Sequence, residues 1–251
     1  MKEVSALKVR IKFAKSGVMK YIGHLDVMRY FQKAFVRAGL DVKYSEGMSP
    51  HMVLSFASPL GVGLTSNGEY ADLELVTPIT TEDGVRRLNE VMAEGMKVLD
   101  VRQVEEGKAG KAMSLVAAAD YVVTARESMA AEDRKKVLPE KLDEAIAGFL
   151  AQDKIVVTKV TKKGEKEVDI RPLIYKMNAA EGSVFMQVSS GSTDNLKPEA
   201  VMDAFAVFCG LGELPPYPYQ VEREEMYAEI AAEEGNRLVS LGDLGKVIEN
   251  V

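Results

Sequence analysis

YIGHLDVMRYFQKAFVRAGLDVKYSEGMSPHMVLSFASPL, residues 21–60, holds a helix, a turn-rich loop and the start of a strand, together with both histidines of the chain. From His24 to Ala38 the apolar residues Met28, Phe31, Phe35 and Ala38 recur at helical spacing, and Gly39 follows where a helix commonly ends. Upstream, LKVRIKF alternates Leu7, Val9, Ile11 and Phe13 with Lys8, Arg10 and Lys12, which predicts a strand with a wet, basic face. Downstream, HMVLSFA and EYADLELV read as strands, TEDGVRRLNEVMAEG as a helix capped by Thr81, and MKVLDVRQVE as a strand. The order is strand, helix, strand, strand, helix, strand.

A looser copy of that order begins near residue 119, with ADYVVTAR as a strand, PEKLDEAIAGFLAQ as a helix opening on Pro139, and KIVVTKV as the next strand. EVDIRPLIYKMNAAEGSVFMQVSS supplies more strand, PEAVMDAFAVFCG a helix opening on Pro198, and PYQVEREEM a closing strand. The expected fold is therefore α+β: tandem ferredoxin-like βαββαβ units, each an antiparallel sheet with helices on one face. The expected boundaries are residues 1–108 for the first unit with the basic helix, 109–222 for the second with its extra strand and loop, and 223–251 for an acidic tail. The junction falls in EEGKAGKAMS, residues 105–114; AEIAAEEG in the tail reads as a short helix, and LVSLGDLGKVI as an apolar docking segment.

The chain has 251 residues and is 47% hydrophobic, enough to build real cores. No run approaches the roughly 18 to 20 apolar residues of a membrane span, and MKEVSALKVRIKF is no secretory signal, so the expectation is a soluble cytoplasmic protein without a membrane. The single cysteine, Cys209, excludes an intrachain disulfide and a multi-cysteine metal or iron–sulfur site. Net charge is -6, but residues 1–56 carry ten Lys/Arg against four Asp/Glu while the remainder carries 22 against 34. A basic start on an acidic body suits a directed anion site.

Arg29, Lys33 and Arg37 recur at four-residue steps and form a cationic ridge on the first helix, which an ordinary solvated face would also produce. The following loop offers Tyr44, Ser45, Gly47, Pro50 and His51, with backbone amides able to cradle a phosphate or carboxylate. His24 and His51 are the two candidates for a proton shuttle near neutral pH. Their spacing fits no metal-ligand motif, and no metal or cofactor is expected. In the second half, Arg171 in DIRP is one candidate anion contact. Gly191, Ser192, Thr193, Asn195 and Lys197, just before a helix, form a second set, to be weighed against a plain capping loop. PLGVGLTSNGE lacks the lysine and spacing of a P-loop.

The ordered set GHLD, RAGL, YSEG, PH, PLG and GEY, residues 23–70, together with DIRP and GSTDNLKPE, resembles the radical-SAM-linked protein family, a domain of unknown function. Members are encoded beside or fused behind B12-type radical SAM enzymes, often near genes for RNA processing and ribosomal proteins. The resemblance implies a radical SAM enzyme as partner, with RNA or a ribosome-linked substrate. It departs at Met48 and Met52, where the family usually has an aromatic and a proline. With one cysteine the chain does not hold the cluster itself. The reading that follows is a non-catalytic RNA-binding or substrate-presenting accessory module. The alternatives are an RNA endonuclease or RNA-modifying enzyme using His24 or His51 as general acid/base, and a protein scaffold for the radical SAM enzyme.

Overall fold

The structure, a computed structural model, describes residues 6–105, 110–161, 164–192, 194–232 and 235–251. Thr193 and residues 106–109 of the expected junction lie outside them. The chain is a mixed α+β protein of two compact units, residues 1–117 with 225–251, and residues 118–224. Among the described residues no helix is long and apolar enough to cross a membrane.

The first unit runs β1 (Leu7–Lys15), α1 (His24–Arg37), β2 (Leu54–Phe56), β3 (Thr65–Leu75), α2 (Thr81–Asn89), β4 (Met96–Gln103) and α3 (Ala112–Leu115). Its strands lie in the order β4-β1-β3, antiparallel, with β2 antiparallel on β3. Strand alternation sorts the side chains. Val9, Ile11 and Phe13 of β1, Ala71, Leu73 and Leu75 of β3, and Val98 and Val101 of β4 are all buried in one core. Helix α1 lays Val27, Phe31, Ala34 and Phe35 on that core, a spacing of four, three and one that makes a single helical stripe. Phe31 stands 4.6 Å from the Phe13 ring and 5.7 Å from Phe56, contacts that fix the helix against the sheet. The helix stops where Gly39 takes φ +63°, a conformation that costs glycine little. Helix α2 is capped by Thr80, whose hydroxyl accepts the Asp83 N–H, rather than by the expected Thr81. Thr81 instead donates to the Val101 carbonyl, which holds the helix start on β4.

The second unit runs β5 (Val116–Ala125), α4 (Ala131–Arg134), α5 (Leu142–Leu150), β6 (Val156–Thr161), β7 (Gly164–Asp169), β8 (Ile174–Ala180), β9 (Ser183–Ser189) and α6 (Pro198–Phe208), and then enters β10 (Tyr219–Ile230). Its sheet order is β10-β5-β9-β8. Helix α5 starts three residues after Pro139, not on it, while α6 does open on Pro198. KIVVTKV was expected as a strand of the second copy; its β6 instead pairs with β7 in a separate two-stranded hairpin. The polar run GEKEVD of β7, largely exposed, offers no apolar face to bury in a core sheet.

The chain returns to the first unit at Glu225. The expected helix in AEIAAEEG is overturned at its start, since Ala228–Ile230 complete β10 and pair with β11 (Arg237–Ser240). The apolar LVSLGDLGKVI segment folds into this unit: Lys246 bridges to Gln103, and Ile248 joins the core.

Candidate anion-binding site

The second face of the first unit's sheet is polar and largely dry. Lys8 faces Glu74, Arg10 faces Asp72 and Lys12 faces Tyr70 across the β1–β3 register. Lys8 is 6% exposed, Arg10 2% and Asp72 3%, so the wet basic strand face expected from sequence is an interior ion-pair layer. The Arg10 guanidinium closes on Asp72 at 2.8 and 3.2 Å and also donates to the carbonyls of Leu241 and Gly110. The amide of Ala112 donates to Asp72 Oδ2 at 2.8 Å. Farther along, Lys12 Nζ and the Tyr70 hydroxyl donate to the two oxygens of Glu225, at 2.8 and 2.6 Å. Burial and then the Glu225 charge push the Tyr70 hydroxyl well above its ordinary range.

Above this layer lies the loop between α1 and β2. An isolated bridge joins Tyr44 to Met52, and the Ser45 amide donates to the His51 carbonyl at 2.8 Å. The His51 amide in turn donates to Ser45 Oγ at 3.1 Å, and that hydroxyl meets His51 Nδ1 at 2.8 Å. The loop is thus pinned at its neck, with Gly47 at φ +113° and exposed Met48 and Pro50 at the tip. Beneath the neck is a cavity of about 230 Å³ lined by Lys8, Ser45, His51, Asp72, Glu74 and Lys111, with Met52 and Leu54 as apolar wall. Of the residues singled out from sequence, Ser45 and His51 come together here. Lys8, Asp72, Glu74 and Lys111 were missed as cavity residues. A signal for three of them was present: two strands that carry opposite charges at every second position, KVR in β1 and DLE in β3, match when paired.

Arg29, Lys33 and Arg37 are all exposed on the face of α1 away from the core. Arg29 makes a surface pair with Asp26 at 3.5 Å, and Arg37 reaches the Val91 carbonyl at 3.4 Å. His24, half-buried at the start of α1, sets its ring edge against Phe56 at 5.3 Å. No hydrogen bond or ring contact among the described residues joins His24 to His51.

In the second unit the Arg171 guanidinium donates to the carbonyls of Leu150 and Ile174, and its amide to Asp169 Oδ1, so this arginine braces the fold. Before α6, Gly191 is half-buried while Ser192, Asn195 and Lys197 are exposed, and Lys197 occupies the cap position without a side-chain capping bond. Among the described residues no three of His, Cys, Asp and Glu converge as a metal-binding set.

None of the curated proteins matches the chain. Among solved structures, an unknown protein from Galdieria sulphuraria is similar at 12% identity over 88% of this chain and 98% of that one, with a TM-score of 0.25. Residues 8–198 match a family described as an uncharacterized protein conserved in bacteria, DUF2344, a span that takes in β1, α1, the loop above the cavity and most of the second unit. The chain belongs to this bacterial DUF2344 family.

Proposed function

We propose that the protein is a non-catalytic accessory module that binds RNA through its phosphates and presents it to a radical SAM enzyme. The observation that carries this reading is the exposed ridge of Arg29, Lys33 and Arg37 on α1. The fold buries Lys8 and Arg10 and pairs Lys12 with Glu225, whereas Arg29, Lys33 and Arg37 stand exposed along one face of α1. The Arg29–Asp26 pair, with side chains 68% and 65% exposed, is worth no more than about 1 kcal/mol and gives way readily to a phosphate. Strand orders of β4-β1-β3-β2 and β10-β5-β9-β8 support reading the two units as ferredoxin-like, an architecture used by several RNA-binding proteins, although fold alone assigns no function. The radical SAM partner rests on the resemblance of GHLD, YSEG and GSTDNLKPE to proteins encoded beside such enzymes.

The test is fluorescence-anisotropy binding of single-stranded RNA and total tRNA across a salt series, for the native chain and an Arg29→Ala/Lys33→Ala/Arg37→Ala variant. Three phosphate contacts to a single strand contribute a log–log salt slope of about -2, at roughly -0.7 each. The variant should lose that part of the slope and bind weakly at low salt. Binding that is indifferent to salt, or equal in the variant, would sink the RNA reading. Co-elution of the radical SAM enzyme with the chain on size exclusion checks the partner separately.

A further inference from the structure

We infer that the cavity beneath the Tyr44–Met52 neck is a phosphate-monoester site, with Lys8 as its buried cation and the hydrogen-bonded Ser45–His51 pair as a donor at its mouth. This goes beyond the RNA reading, since it is built from other residues than the α1 ridge and would take inorganic phosphate alone.

The argument is one of charge and hydrogen bonds inside a small volume. Asp72 lines the cavity, but its oxygens already accept from both arms of Arg10 and from the Ala112 amide. Lys8 Nζ sits 3.7 Å from Asp72 Oδ2, near enough to feel the charge and too far for a hydrogen bond. Glu74, directly opposite Lys8 in register, gives its carboxylate to Lys43 at 2.9 Å. The Lys8 ammonium is therefore more than nine-tenths buried and has no hydrogen-bond partner among the described residues. Two buried cations, Lys8 and Arg10, share one buried carboxylate, so this end of the layer holds an excess positive charge. A buried ammonium without acceptors is costly, and an anion in the adjoining space supplies both the acceptors and the missing charge.

The mouth has the matching donors. Ser45 Oγ and His51 Nδ1 share one hydrogen bond, so the pair keeps one further proton to offer an anion, on Nε2 when the hydroxyl donates and on the hydroxyl when Nδ1 does. Lys111 adds a second lysine at the exposed rim. Two ammonium groups and the one remaining proton of the Ser45–His51 pair suit the peripheral oxygens of a phosphate. About 230 Å³ holds that group with a small part of whatever carries it.

The probe is inorganic phosphate, with 31P line broadening and thermal shift on the full chain at matched ionic strength. Wild type should broaden the phosphate signal and gain melting temperature. Lys8→Met should bind roughly tenfold or more weakly, the loss expected for one charge-assisted hydrogen bond to a buried group. Ser45→Ala and His51→Ala, at half-buried and exposed positions, should fold normally and weaken binding by a smaller factor. The ridge variant Arg29→Ala/Lys33→Ala/Arg37→Ala should bind phosphate as wild type does, which separates this site from the RNA surface. Tighter binding of a 5′-phosphorylated RNA oligonucleotide than of its 5′-hydroxyl twin, lost in Lys8→Met, would assign the ligand to an RNA end. Equal binding of the two, with phosphate binding retained, would assign it to a free phosphate compound. No broadening in wild type, or equal broadening in folded wild type and Lys8→Met, would overturn the site and leave water as the partner of Lys8.

Discussion

Arg10 and Asp72 stand opposite each other in the β1–β3 register, and the guanidinium closes on the carboxylate at 2.8 and 3.2 Å with neither residue more than 3% exposed. Because Lys8 shares the same carboxylate, Asp72→Ala strands two buried cations at once. Removing one partner of a buried pair typically destabilises by about 3–5 kcal/mol. The expected result is a large fall in the urea midpoint at an unchanged slope. Lys12→Ala, at a pair whose side chains are 25% and 15% exposed, should cost clearly less. Similar midpoints for the two variants would show that water reaches Asp72 freely.

Tyr70 makes this layer sensitive to alkali. Its hydroxyl donates to Glu225 at 2.6 Å, and burial first, then the Glu225 charge, raises its pKa. Tyr219 in the second unit is raised in the same direction, by burial first and then by the Asp203 charge. The unfolded chain releases these protons near pH 10, whereas the folded chain holds them. Their contribution is therefore complete below about pH 10 and falls as pH rises through the unfolded value toward the folded one. Denaturant midpoints measured from about pH 9 to about pH 11 should drop. Tyr70→Phe, though less stable at neutral pH, should drop less steeply, and an equal slope would remove Tyr70 from the account.

The fold was legible where one physical signal acted alone. The stripe of Phe31 and Phe35 and the turn at Gly39 gave α1 its ends, because helical period and positive φ are local properties. Lys8, Arg10 and Lys12 misled because alternation reports only which residues share a face. Whether that face meets water depends on Asp72, Gly110 and Leu241, which lie far along the chain. The same limit hid the cavity: Ser45 and His51 are near neighbours in sequence and could be named, whereas Lys8 and Lys111 join them only through the sheet. Strand β6 was misplaced because its apolar pattern resembles that of a core strand, and its pairing partner GEKEVD has too little apolar character to announce a hairpin.

Cys209 caps the C-terminal end of α6, half-buried, and burial pushes its thiol above the ordinary range. Less thiolate at neutral pH means slower attack on a disulfide reagent. The folded chain should react with an aromatic disulfide severalfold more slowly than the chain in denaturant, with one equivalent released per molecule in both cases. Equal rates would place the thiol in open solvent.

Thr80 takes the cap that sequence assigned to Thr81, and Thr81 takes another task. Thr80 caps α2 by accepting the Asp83 amide at 3.1 Å, and Thr80→Ala should cost about 1 kcal/mol, the usual worth of a cap. Thr81 ties three segments: its hydroxyl donates to the Val101 carbonyl at 2.6 Å and accepts the Ile248 amide at 3.0 Å, while its own amide donates to the Ile248 carbonyl. Thr81→Val keeps the side-chain shape but leaves that carbonyl and amide without partners, which carries a larger penalty of about 1–3 kcal/mol. Hydrogen exchange separates the two. In Thr80→Ala the Ile248 amide should lose only the protection that follows the global stability. In Thr81→Val it should exchange much faster than the amides of β1 and β3, because the C-terminal segment is then held by its backbone bonds and the burial of Ile248 alone. Uniform loss of protection across the first unit in Thr81→Val would mean that the segment opens only with the whole unit.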